Sequence, residues 1–212
     1  MNVSKEPVTS DFQPVGGSLC LDFTNTVDWR GRDTPEELLN SYEELLNWAK
    51  YMKVLHEREY EALLHGAGQS PEQAESIYNR AIALRESIYH IFSAISQEEL
   101  PRKADVDLLN EELSIAYDHL KLRYSGHGYN LELRSDRAEL DQMLWSVAKS
   151  ASDLLTSDKL DRVRRCISEE CGWLFLDMSR NRSRRWCEMK TCGNRMKARR
   201  FYERTYATVN PK

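Results

Sequence analysis

Four of the five cysteines fall in the last quarter of the chain, as two identical pairs, Cys166-x4-Cys171 and Cys187-x4-Cys192. Thiolates are soft anionic ligands, and four of them close a tetrahedral zinc site with no position left for water. A four-residue gap lies at the upper end of the spacing that zinc knuckles use. No histidine follows His127, so four thiolates are the simplest closure. The spacing predicts one structural Zn2+ held by Cys166, Cys171, Cys187 and Cys192. A module this small has little core of its own, and metal binding supplies about 10–16 kcal/mol to zinc-finger peptides. The bland reading is four buried reduced thiols. An iron–sulfur cluster also takes four thiolates, but the strand–turn–strand pattern around the pairs suits structural zinc better. Cys20 stands alone in an apolar stretch with no base beside it, and reads as a small buried residue.

The second pair lies in RRWCEMKTCGNRMKARRFYER. Residues 160–212 hold 14 Lys/Arg and 6 Asp/Glu, a net of +8, while residues 1–159 hold 16 and 28, a net of −12. The overall −4 therefore hides a basic tail on an acidic body. A basic patch acts within a Debye length of about 8–10 Å, so the acidic total does not exclude a polyanionic partner. At 100° per residue over 195–206, Ala198, Phe201, Tyr202, Thr205 and Tyr206 share one face, which is expected to pack. Arg195 and Arg199 flank it, and Lys197, Arg200 and Arg204 form another edge. The turn around Arg180, Arg182, Arg184 and Arg185 adds a second cluster. The expected nucleic-acid contacts are Arg182, Arg184, Arg185, Arg195, Lys197, Arg199, Arg200 and Arg204, because guanidinium groups bind phosphate oxygens bidentately. The bland reading is a solvated helix docked on the acidic body.

These groups need a frame. Around the cysteines, Arg162–Arg165 and Trp173–Leu176 read as strands, Ser179–Ser183 as a turn, and Arg184–Trp186 as a returning strand. Upstream, Pro14 and Gly16-Gly17 break regular structure, and Ser18–Phe23 is too short to classify. Thr34-Pro35-Glu36-Glu37 has the form of a capping box and predicts a helix start, with Leu38, Leu39, Tyr42, Leu45, Leu46, Ala49 and Met52 inward. A second helix is expected over Glu57–Gly66, ending at Gly66 and Gly68. Ser70-Pro71-Glu72-Gln73 opens a long one with Ala74, Ile77, Tyr78, Ala81, Leu84, Ile88, Ile91, Phe92 and Ile95 on one stripe. Another covers Ala104–Leu120. Leu120–Tyr124 and Tyr129–Leu133 flank Ser125-Gly126-His127-Gly128 as a β-hairpin. Ser135-Asp136-Arg137 is expected to cap a last helix reaching Ser157. The fold class is mainly α (α+β): a helical unit over 1–160 with a small β-hairpin, then a four-cysteine module of β-hairpin plus helix over 161–212.

Residues 162–204 resemble the CGNR zinc finger, through Cys192-Gly193-Asn194-Arg195, Gly172-Trp173-Leu174-Phe175 and Arg185-Trp186-Cys187. Gly16-Gly17-Ser18-Leu19-Cys20-Leu21-Asp22-Phe23-Thr24-Asn25-Thr26 resembles the start of the ABATE domain, the usual partner of that finger in bacterial proteins. The resemblance implies a bacterial transcription regulator of the stress-induced type, with DNA as partner, the four cysteines as ligands and no enzymatic activity. Asp22, Asn25, Thr26 and Arg30 are polar groups close in sequence, expected either to line a pocket for a small-molecule effector or to fix the turn into the first helix.

Other classes are disfavoured. HExxH, a phosphate-binding glycine loop, a nucleophile elbow and a Rossmann fingerprint are all missing, which argues against an enzyme. No run approaches the roughly 18 apolar residues of a membrane span. MNVSKEPVTSDFQP lacks the apolar core of a secretory signal, so the expected compartment is the cytoplasm, where thiols stay reduced. The alternatives to DNA are RNA, stacked on Trp173 or Trp186, or a protein partner. Both tryptophans read first as finger core. A regulator of palindromic DNA would be a homodimer.

Overall fold

The computed structural model describes residues 12–134 and 138–209. Its centre is the 26-residue helix α4 (Pro71–Ser96). Pro71 suits the first helical turn, where its missing N–H costs nothing. Ala81, Leu84, Ile88, Ile91 and Phe92 recur at helical spacing and are buried. Around α4 pack α1 (Leu19–Thr24), α2 (Tyr42–Tyr51), α3 (Glu57–Gln69), α5 (Lys103–Asp118) and α6 (Gln142–Leu155). Ser18–Phe23, unclassified in sequence, thus supplies most of α1.

The capping-box segment at 34–37 does not start a helix. Glu36–Glu37 form strand β2, paired antiparallel with β1 (Val27–Asp28). The local cap is worth about 1 kcal/mol, whereas Glu37 takes two 2.6 Å bonds from the buried guanidinium of Arg85. That long-range charge-assisted pair prevails, and α2 begins at Tyr42 behind Ser41, whose hydroxyl accepts from Glu44 N. Nor do Gly66 and Gly68 end α3, which runs on to Gln69. A helical glycine costs roughly 1 kcal/mol but is no stop. Helix α5 ends at Asp118, because Leu120 already belongs to strand β3. Strands β3 (Leu120–Tyr124) and β4 (Tyr129–Leu133) pair as the alternation predicts. The expected cap at Ser135-Asp136-Arg137 lies outside the described residues.

After α6 the chain makes a single 3-10 turn (Leu160–Arg162) and strand β5 (Val163–Arg165), antiparallel to β6 (Leu174–Leu176). Val163, Leu174 and Leu176 belong to the same buried cluster as α1–α6, so the core continues across residue 160. A π-helical turn (Met189–Gly193) leads into α7 (Asn194–Val209). No described helix is long and apolar enough to cross a membrane.

Candidate metal centre and basic surface

The turn of the β5–β6 hairpin carries the first cysteine pair. Cys166 N donates to Trp173 O at 2.8 Å, continuing the ladder, and Cys171 N donates to Ser168 O. Gly172 has φ +73°, where an added Cβ would meet Arg30 at 2.9 Å. The second pair arrives on a loop. Arg184–Trp186 is not the expected strand; Arg185 O accepts from Ile167 N of the first knuckle at 3.0 Å, so this stretch lies on the knuckle and does not extend the sheet. Buried Asp177 shapes the intervening turn by accepting from Ser179 N, Ser179 Oγ and Arg184 N. Burial opposes its ionisation, but these donors outweigh it and hold the carboxyl below the usual range.

The four Sγ atoms lie within 4.8 Å of one another, and all four residues are buried. Cys187 Sγ is 3.6 Å from Cys171 Sγ and 3.6 Å from Cys192 Sγ. These separations are far too long for a disulfide. They match the edge of a tetrahedron with Zn–S of about 2.3 Å, which is about 3.8 Å. Without a cation, hydrogen bonds among the clustered thiols, then burial and mutual charge, push Cys171 and Cys187 far up, while hydrogen bonds from the other thiols pull Cys166 down. A divalent ion removes that conflict. The donor set suits a single structural zinc.

The centre is fastened to the helical body by residues 25–31. Arg30 N and Gly31 N donate to Cys171 O and Glu170 O, each at 3.2 Å. The Arg30 guanidinium forks onto Glu86 of α4 at 2.7 and 3.0 Å and lies 4.0 Å from the Tyr89 ring centre. Tyr89 Oη donates to Gly172 O. Burial disfavours charged Glu86, but Arg30 and Arg85 prevail and keep its carboxyl below the usual range. Asn25 is buried and grips both backbone groups of Leu174, donating to its O at 2.9 Å and accepting from its N at 3.0 Å. Trp173 Nε1 donates to Val27 O. Glu86, Tyr89 and Gly31 carry this fastening but give no signal in sequence, because their partners are 56–139 residues away.

The four polar residues near α1 are all engaged in hydrogen bonds within the fold. Asp22 Oδ1 accepts from Gly16 N at 2.7 Å. Thr26 Oγ1 donates to Phe23 O and accepts from Arg85. Asn25 and Arg30 are engaged as above. A cavity of about 390 Å³ opens nearby between Ser18, α6 and Leu176, and none of the four borders it. Burial raises the Asp22 carboxyl to about 6 against its one N–H donor. The folded state thus favours the protonated form. That contribution is whole below the usual carboxylate pKa and is lost as pH rises through about 6. Asp22→Asn keeps an acceptor for Gly16 N and removes the buried charge. It is expected to stabilise the protein by up to about 3 kcal/mol at pH 7.5 and little at pH 4. Urea unfolding of both proteins at the two pH values checks this; equal differences at both would refute the assignment.

The arginines separate into different roles. Arg184 donates to Val15 O, Leu176 O, Trp186 O and Cys187 O and lies 4.3 Å from the Phe175 ring centre. Its guanidinium is occupied by these backbone carbonyls within the fold. Arg182 pairs with Asp161. Arg185, Arg195, Lys197 and Arg199 are exposed. Arg195 rests 4.0 Å from the Trp29 ring centre, which Arg32 also covers at 3.5 Å. Trp29 itself has φ +56°, an uncommon conformation for a bulky residue. An ion pair crosses the junction opposite to the expected acidic-body, basic-tail sense, from Arg32 to Glu170 at 2.6 Å. The face expected to pack is open: Ala198, Phe201, Tyr202 and Thr205 are all exposed. Periodicity defines a face but not a partner for it. The side chains of Arg200, Arg204 and Tyr206 lie outside the described residues.

Comparison with known proteins agrees with the two halves of this arrangement. A search of curated proteins found no match. The CGNR zinc finger model matches residues 162–205, which include all four cysteines. The ABATE model, described as "Putative stress-induced transcription regulator", matches residues 17–158. Neither is an enzyme family. The chain belongs to the ABATE family and carries a CGNR zinc finger.

Proposed function

We propose that this is a zinc-dependent DNA-binding transcription regulator acting in the cytoplasm. The carrying observation is that α7 starts two residues after the ligand Cys192, with Arg195, Lys197 and Arg199 exposed on its first turns. Metal binding fixes the start of this helix, so a basic surface is held in place instead of being formed on contact. Residues 161–212 would read phosphates and residues 1–160 would sense or dimerise, although both share one core. A small-molecule effector would have the cavity beside Ser18 available to it. This reading assigns no residue a catalytic role.

Fluorescence anisotropy of the zinc-loaded protein on duplex DNA across a salt series tests the proposal. Each phosphate neutralised adds about −0.9 to the slope of log K against log salt. Arg195→Ala and Arg199→Ala are each expected to weaken binding and reduce the slope by about 1. Arg184→Ala should instead destabilise the fold. Unchanged affinity in both helix variants would remove α7 from the interface. A second reading has one specific support, the exposed rings of Phe201 and Tyr202. Aromatic side chains beside arginines suit stacking on single-stranded bases, so tighter binding to single-stranded RNA than to duplex DNA would favour RNA.

A further inference from the structure

The β3–β4 hairpin carries a surface that the reading above does not use. Its register pairs Leu120 with Leu133, Leu122 with Leu131 and Tyr124 with Tyr129. Directly opposed residues share a face and successive residues alternate, so all six apolar side chains lie on one side. Lys121, Arg123, Asn130 and Glu132 lie on the other. At the root, Leu133 packs against the core. Beyond it the apolar face is bare: Leu122 is 66% exposed, Tyr124 62%, Tyr129 70% and Leu131 59%. A strand pattern of this kind marks a buried face, and a lone two-stranded hairpin is only marginally stable in water. Among the described residues no third strand joins it.

We propose that this face is covered by the same face of a second copy of the chain, the two hairpins packing about a twofold axis. The face has no charged side chain, so identical copies meet on it without repulsion. The arm's Lys121, Arg123 and Glu132 lie on its opposite face, away from the contact. The chain's own undescribed segments offer no apolar run to cover it: MNVSKEPVTSD, Ser-Asp-Arg and Asn-Pro-Lys are mostly polar. Four such side chains expose on the order of 400–500 Å², so two copies bury roughly 1,000 Å², near the lower limit of a specific interface. A contact of this size is expected to be reversible. A twofold contact of this kind is isologous, each residue meeting its counterpart's neighbourhood.

The test is sedimentation velocity of the full-length, zinc-loaded protein from about 1 to about 100 μM, beside a Leu122→Lys/Leu131→Lys variant. Both substituted positions are exposed, so the variant should fold and keep its zinc. The wild type should shift from monomer to dimer, and the variant should stay monomeric with unchanged circular dichroism. A second measurement uses Tyr129→Cys: all five native cysteines are buried, so a short thiol-specific cross-linker should join two chains through that residue. A wild type that stays monomeric over the whole range overturns the proposal. So does a variant that dimerises like the wild type, which would move the contact elsewhere, for example to the open face of α7. None of these outcomes depends on nucleic-acid binding.

Discussion

Cys187→Ser is expected to abolish stoichiometric zinc binding and to loosen the chain well beyond the finger. Cys187 Sγ sits 3.6 Å from two of the other sulfurs, so its loss leaves three ligands and opens one side of the site. A hydroxyl is a poor replacement for a thiolate on zinc. The metal contributes a large share of the folding free energy of small finger modules, and in the loop from Asp177 to Met189 it acts beside the hydrogen bonds of Asp177, Arg184 and Arg185. The consequence does not stop at residue 160. Arg30 N and Gly31 N lose the ordered carbonyls of Cys171 and Glu170, and the Asn25 grip on Leu174 is weakened. Hydrogen exchange should therefore show lost protection over 163–176 and at Arg30 and Gly31, with the centre of α4 still protected. Chelation of the wild type should give the same map, and the zinc affinity of the wild type should fall with pH, because bound thiolates must be deprotonated. Full zinc occupancy in the variant would overturn the four-thiolate assignment. Unchanged protection at Arg30 and Gly31 would show that the junction holds without metal.

The metal ligands were legible in sequence because a zinc site is written in like residues at short, fixed spacing. The β3–β4 hairpin was legible for a similar reason: alternation and a glycine-rich turn are local signals. What could not be read was every decision made at long range. Glu37 completes a capping box on paper, but Arg85, 48 residues later, takes its carboxylate. Arg184 looks like Arg182 and Arg185 in a run of basic residues, and only the fold turns its guanidinium towards four backbone carbonyls. Asp22, Asn25, Thr26 and Arg30 are neighbours in sequence, but partners such as Leu174 and Glu86 lie far along the chain, where no local pattern announces them. The face of α7 failed in the opposite direction, since amphipathic spacing predicts burial only where a partner exists.

Gly31→Ala should be among the most destabilising single substitutions outside the zinc ligands, at about 3 kcal/mol. A Cβ there would fall 1.7 Å from Glu169 O and 2.8 Å from Glu169 C. Both are backbone atoms of the first zinc knuckle, so no side chain can rotate aside, and the loop must retreat from the metal centre. Retreat breaks the two hydrogen bonds to Glu170 and Cys171 and pulls Arg30 away from Glu86 and Tyr89. It also moves Trp29 from beneath Arg195, so indole fluorescence should change in the native state. For a chain of this size the midpoint of thermal unfolding should fall by about 10 °C. Zinc should remain bound at one per chain, because no ligand is touched, and this separates the substitution from Cys187→Ser. Gly68→Ala serves as the control. A Cβ at that position meets nothing within 4 Å, and in the last turn of α3 alanine is still favoured over glycine, by less than the roughly 1 kcal/mol of a helix interior. The same chemical change is therefore expected to stabilise at residue 68 and to destabilise at residue 31. Equal midpoints for Gly31→Ala and the wild type would mean that the 25–31 loop does not bear on the knuckle in solution, and that the helical body and the finger fold as separate units.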